Sequence, residues 1–102
     1  MTVTKINIKS TLDSISELWK LKEAGRVNNH RLQMIKLKGE FEMHKHDEGD
    51  KLFYVLEGTL FLEFPTKEVE EIKEGECVIV PKSLEQKPFS PDGVSLLILE
   101  LA

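Results

Sequence analysis

Residues 39–58 read GEFEMHKHDEGDKLFYVLEG, and His44 and His46 inside that stretch stand two positions apart. On an extended strand successive side chains leave from opposite faces, so both imidazoles share one face. The chain holds three histidines in all, so this pair concentrates most of its imidazole. Glu40 and Glu42 share the phase of the pair, and after the polar DEGD the run KLFYVLEG carries Lys51, Phe53 and Val55 in one phase and Tyr54 in the other.

Working outward, strand signals separated by turn residues continue on both sides. HRLQMIKL ends at Lys38-Gly39, EFEMHKH ends at DEGD, and KLFYVLEG is followed by TLFLEF after a turn at Glu57-Gly58. EVEEI, ECVIV and VSLLILELA complete the series, the last after the turn signal Pro91-Asp92-Gly93. Many short strands with no long crossover helix predict an all-β sandwich or barrel. Upstream, STLDSISELWKLKEAG predicts a short helix, with Ser14 and Glu17 as a capping box and Gly25 as its stop. Ile15, Leu18 and Trp19 would form one stripe packing over a sheet edge.

At 102 residues the chain predicts one domain, an N-terminal extension over 1–28 and a barrel over 29–102. Its net charge is -4 and its basic residues are scattered, which argues against a nucleic-acid partner. No apolar run is long enough for a membrane span or a signal peptide, so membrane is excluded as a partner and a cytoplasmic location is expected. Cys77, alone, has no intrachain disulfide partner and is expected as a small buried hydrophobe. Leu52 to Leu56 and Val78 to Val80 are apolar on both faces, so the outer face of the barrel needs a cover. A second copy of the chain or the N-terminal segment would supply it, and a homodimer is expected.

Gly39, Phe41, His44, His46 and the DKLFYVLEG after them, with Gly75-Glu76 and Val80-Pro81, resemble the two motifs of the cupin superfamily, in particular its small single-domain members. Trp19, Val27-Asn28 and the apolar C-terminal strand are similar to the same group, which includes proteins labelled mannose-6-phosphate isomerase-like. The resemblance implies an all-β cupin jelly-roll barrel holding a metal on two histidines and a glutamate from the first motif and a histidine from the second. The two histidines match His44 and His46, but the glutamate position falls on Lys51 and the second-motif histidine on Gln86. Ser83 stands where the group has glycine.

A divalent transition metal needs three or four lone-pair donors, and a protonated lysine offers none. His44, His46 and Gln86 are the metal candidates, with Glu42 or Asp50 as substitutes for the missing acid. Glu42 is in phase with the histidines; Asp50 is out of phase with Lys51 unless the chain bulges at Gly49. Three functions follow in order. The first is a barrel binding a small anionic ligand among His44, His46, Lys51 and Gln86, its metal site degenerate. The second is an isomerase or dioxygenase with iron, manganese, zinc or nickel on His44, His46 and Gln86; the third is a dimeric interaction module with a vestigial pocket.

Overall fold

The computed structural model describes residues 2–102. Its elements are α1 (Ile8–Asp13), β1 (Lys22–Val27), β2 (His30–Glu40), β3 (Lys51–Glu63), β4 (Val69–Lys73), β5 (Cys77–Val80) and β6 (Lys87–Leu101). All strand pairs are antiparallel, in the order β1-β2-β6-β3-β4, with β5 beside the first half of β3. The sheet curls into a jelly-roll barrel, as the turn-punctuated strand pattern predicts.

The two turns expected at Glu57-Gly58 and Pro91-Asp92-Gly93 are not turns. β3 and β6 run straight through them, and the glycines sit at bulges where the pairing register shifts. Gly39 of β2 marks a third bulge, against β6. Gly39, Gly58 and Gly93 all have positive φ, at 92°, 83° and 99°. They lie close together across the three adjacent strands, so each long strand bends at nearly the same level. Gly-containing turn signals and Gly-containing bulges look alike in sequence, which is why continuous strands were expected to break.

Alternation then sorts the side chains. Ile35, Leu37, Phe53, Val55, Leu60, Leu62, Val94, Leu96 and Ile98 fill the barrel. Met34 is fully buried on the opposite face, under Leu12 and Ile15. Phe61 is half-buried and stacks on Phe89 with ring centroids 5.1 Å apart. Tyr54 is out of phase with the core, as its position predicts. Cys77 also differs from expectation: it opens the edge strand β5 with its side chain turned out, and is exposed.

The helix forms earlier than its capping signals suggest. Asn7 caps it, its side-chain oxygen accepting from the Ser10 amide at 2.9 Å, and Ser14 lies at the C-terminal end. Leu12 and Ile15 cover Met34, and burying side chains of this size contributes roughly 1.5–3 kcal/mol each. The N-terminal segment is thus one cover of the outer face. Residues 14–21 then cross the sheet as a strap, held by Lys36 Nζ donating to the Ile15 carbonyl at 3.0 Å and by the Trp19 amide donating to the Lys36 carbonyl at 2.8 Å. Leu18 of the expected stripe is exposed, while Trp19 turns toward the barrel mouth. Gly25 stops no helix; it lies in β1, whose register shifts between Glu23 and Gly25.

At Gly58 an added Cβ would collide with the Gly93 carbonyl and lie 3.2 Å from Val94 Cα, both backbone atoms. Gly75 has a similar φ, 84°, but open space around it. Gly75→Ala is therefore expected to cost about 1–2 kcal/mol, the left-handed backbone alone. Gly58→Ala should cost clearly more than that, about 3 kcal/mol or above, measured by urea unfolding of both variants.

Candidate functional site

EFEMHKH does not form the expected strand. β2 ends at Glu40, and residues 41–50 run irregularly except for a bridge between His44 and Gln86, whose backbones exchange hydrogen bonds at 3.0 and 2.8 Å. The Ser83 amide donates to the His46 carbonyl at 2.6 Å, and Ser83 takes φ 67°, the left-handed conformation that glycine adopts freely. These contacts keep the segment extended enough that the two-residue spacing still turns both imidazoles the same way.

The imidazole Nε2 atoms of His44 and His46 lie 3.1 Å apart. His44 Nδ1 is 2.9 Å from the Glu42 carbonyl, which accepts only, so Nδ1 carries the proton and Nε2 presents a lone pair. Gln86 Nε2, on a side chain with no exposure, lies 3.3 Å from that lone pair and donates to it. Gln86 Oε1 is buried with no hydrogen-bond partner.

Lys51 opens β3 in phase with Phe53 and Val55, and its Nζ lies 3.4 Å from His46 Nε2. It also lies 3.4 Å from Glu100 Oε2 and 5.1 Å from the centroid of the Phe53 ring. Its side chain is 12% exposed and that of Glu100 13%. Glu100 Oε1 in turn accepts from Arg31 Nη2 at 3.2 Å. The polar groups thus form one chain, Arg31–Glu100–Lys51–His46–His44–Gln86, across the barrel. Burial holds the Lys51 ammonium below its usual pKa; the Glu100 carboxylate opposes that shift and Arg31 reinforces it. Burial likewise lowers His46, helped by the charge of Lys51 and by His44.

The two substitute acids take no part. Glu42 is exposed and offers its backbone carbonyl, while the exposed Asp50 accepts from the Lys82 amide at 2.9 Å. Among the described residues no group of three His, Cys, Asp or Glu side chains is placed to hold a metal ion. His30 starts β2 and pairs with Leu101, outside this cluster.

A cavity of about 260 Å³ opens beside the cluster. Its polar wall is His44, His46 and Lys51; Ile35, Leu37, Phe53, Ile98 and Pro88 make the rest, with Trp19, Leu21 and Phe41. No acidic side chain lines it. Trp19 stacks on Phe41 at 5.6 Å, and Phe41 meets His44 edge-on at 5.0 Å. The indole is fixed by Nε1 donating to the Lys38 carbonyl at 3.2 Å and by a positive φ of 66°. Glu100, Arg31 and Trp19 were not singled out as site residues. Glu100 and Arg31 do leave a trace in sequence, being charged residues in the inward phase of apolar strands, in step with Ile98 and with Ile35.

A family model described as a cupin domain matches residues 31–100. A cupin-2 domain containing protein from Shewanella frigidimarina is 28% identical in its crystal structure, with a TM-score of 0.91 over 95% of this chain and 94% of that one. A crystal structure of a Neisseria meningitidis protein is 33% identical, with a TM-score of 0.90 over 97% of this chain and all of that one (100%). The uncharacterized protein YdbB of Bacillus subtilis strain 168 is 38% identical over 56 residues, 55% of this chain and 50% of YdbB. The match therefore spans half the length of that curated relative.

Because the folded state favours neutral His46 while the unfolded chain protonates it near the ordinary value of 6.5, stability is full above that value and falls as pH drops through it toward the lowered one. Thermal midpoints of the wild type should fall between about pH 7 and pH 5. The His46→Gln variant should show a shallower fall over the same window. Parallel curves for the two proteins would contradict the burial of His46.

Proposed function

The chain belongs to the cupin family, and from that premise we propose that it binds a small carboxylate with an apolar body inside the barrel, without a metal. The observation that carries this reading is Lys51: a buried ammonium on the wall of a cavity that no acid lines. Glu100 is shared between Lys51, whose side chain is 12% exposed, and Arg31, whose side chain is 36% exposed, so one carboxylate answers two cations and the Lys51 ammonium is only partly balanced. A monoanion entering the cavity would balance it, and in a poorly solvated site such a pair is charge-assisted and strong. The aliphatic and aromatic remainder of the wall suits a hydrocarbon body, with the Trp19–Phe41 stack as a flat platform.

The donor set speaks against a divalent ion. His44 and His46 supply two lone pairs at best, Gln86 turns its amide nitrogen toward them, and no carboxylate joins. In place of a further donor stands the Lys51 ammonium, 3.4 Å from His46 Nε2, which would repel a cation. The metal site of the family is in this reading degenerate, and Lys51 has taken over as the positive charge of the pocket.

We further assign the outer sheet face to a second copy of the chain. Leu32, Leu99, Leu52 and Ile79 align across four strands on that face, and Ile79 is 61% exposed. Such a row is self-complementary across a two-fold axis. Among the described residues no helix is long and apolar enough to cross a membrane. An exposed free Cys77 suits a reducing, cytoplasmic setting.

Trp19 is the only tryptophan and stands at the cavity, so its fluorescence reports occupancy directly. Titration with benzoate should quench it saturably, with a Kd below about 1 mM. Lys51→Met should weaken that binding about tenfold or more, and prior dialysis against a chelator should not change it. Equal binding of benzoate and its neutral counterpart benzyl alcohol would overturn the carboxylate reading. For the dimer, Ile79→Glu should convert the species seen by light scattering to a monomer; an unchanged mass would reject this face.

A further inference from the structure

Lys51 is more than a fixed charge: its nitrogen is a nucleophile placed at the wall of an apolar cavity, with an imidazole on one side and a carboxylate on the other. We infer that Lys51 forms a reversible imine with small aldehydes or ketones that enter the barrel. The geometry supplies each requirement of that chemistry. Nζ lies against the Phe53 ring and faces an open-mouthed cavity of about 260 Å³ lined mainly by hydrocarbon, which admits a small carbonyl compound. His46 Nε2 stands 3.4 Å from Nζ, within reach of the proton that the ammonium must lose before it attacks. Glu100 Oε2, 3.4 Å away on the far side, is a counter-ion for the cation that results.

The step balances without any oxidant or reductant. The ammonium passes one proton to His46; the free amine attacks the carbonyl carbon and forms a C–N bond as the C=O π bond breaks, and a second proton moves from the attacking nitrogen to the carbonyl oxygen to give the neutral carbinolamine. His46 returns its proton to the carbinolamine hydroxyl, the C–O bond breaks, and one water leaves. The product is a protonated imine that keeps the charge of Lys51 beside Glu100, so the electrostatics of the Arg31–Glu100–Lys51 chain are conserved through the reaction. This activity shares the cavity of the carboxylate reading but does not require a carboxylate on the ligand.

The probe is 2,4-pentanedione, a small apolar diketone that condenses with amines, losing water, to give a stable conjugated product absorbing in the near ultraviolet. The intact protein is incubated with it, digested, and mapped by mass spectrometry, so all lysines are compared within one folded sample. Lys51 should be modified about tenfold faster than any exposed lysine, and benzoate should slow that one site only. Lys51→Arg, checked for folding by circular dichroism, should lose the fast absorbance change while keeping the slow one from surface lysines. Labelling of Lys51 at or below the rate of exposed lysines would overturn the inference. The two readings fail separately: benzoate binding without fast labelling sinks only the imine, and fast labelling without benzoate binding sinks only the carboxylate.

Discussion

The barrel depends on the bulge shared by three neighbouring strands. At Gly58 the backbone of β3 approaches that of β6 at Gly93 and Val94 so closely that no side chain fits on Gly58, and both glycines take positive φ. Without those bends β2, β3 and β6 would remain part of an open sheet, with Phe53, Val55, Leu96 and Ile98 facing water. With them, the inward rows of the three strands curl toward one another and close a core around a cavity. A bulge also resets register, so the halves of β3 on either side of Gly58 each keep an apolar row inside: Phe53 and Val55 before it, Leu60 and Leu62 after.

That closure forces polar groups together at one end. Lys51 and Glu100 occupy the inward phase of strands whose other inward residues are apolar, and the bend brings the irregular segment carrying His44 and His46 over them. Removing a lysine and a glutamate from water is costly, and a single ion pair seldom repays it fully. Arg31 adds a second cation to Glu100 without adding an anion, so the arrangement is poorly explained as a device for stability alone. Gln86 Oε1, buried without a partner, is a further uncompensated group in the same cluster. A partly balanced ammonium and an unsatisfied buried amide oxygen beside a cavity support the proposed ligand site.

The strap over 14–21 links the two faces of the sheet. Ile15 at its start seals Met34 on the outside, while Trp19 stands at the cavity mouth. Lys36 ties both, through its amine to the Ile15 carbonyl and through its own carbonyl to the Trp19 amide. Packing on the outer face therefore positions an aromatic wall of the pocket.

Fold class was legible from strand periodicity, because alternation is a local property that any window of five or six residues displays. The convergence of His44 and His46 was legible for the same reason, and so was the phase that Lys51 shares with Phe53 and Val55, whereas its inward direction was decided only by closure of the barrel. The helix start at Asn7, the continuity of β3 and β6 through their glycines, and the outward placement of Cys77 were not, because each has a second local solution of similar energy and packing chose between them. Sequence by itself determined which side chains share a face, and it put Lys51 and Gln86 at the positions where the resemblance implies an acid and a histidine. Tertiary structure alone decided that Glu100 and Arg31, 49 and 20 positions from Lys51 along the chain, stand in line with it. Partners so distant in sequence meet only when the sheet closes, since charge attracts through space and carries no periodic mark along the chain.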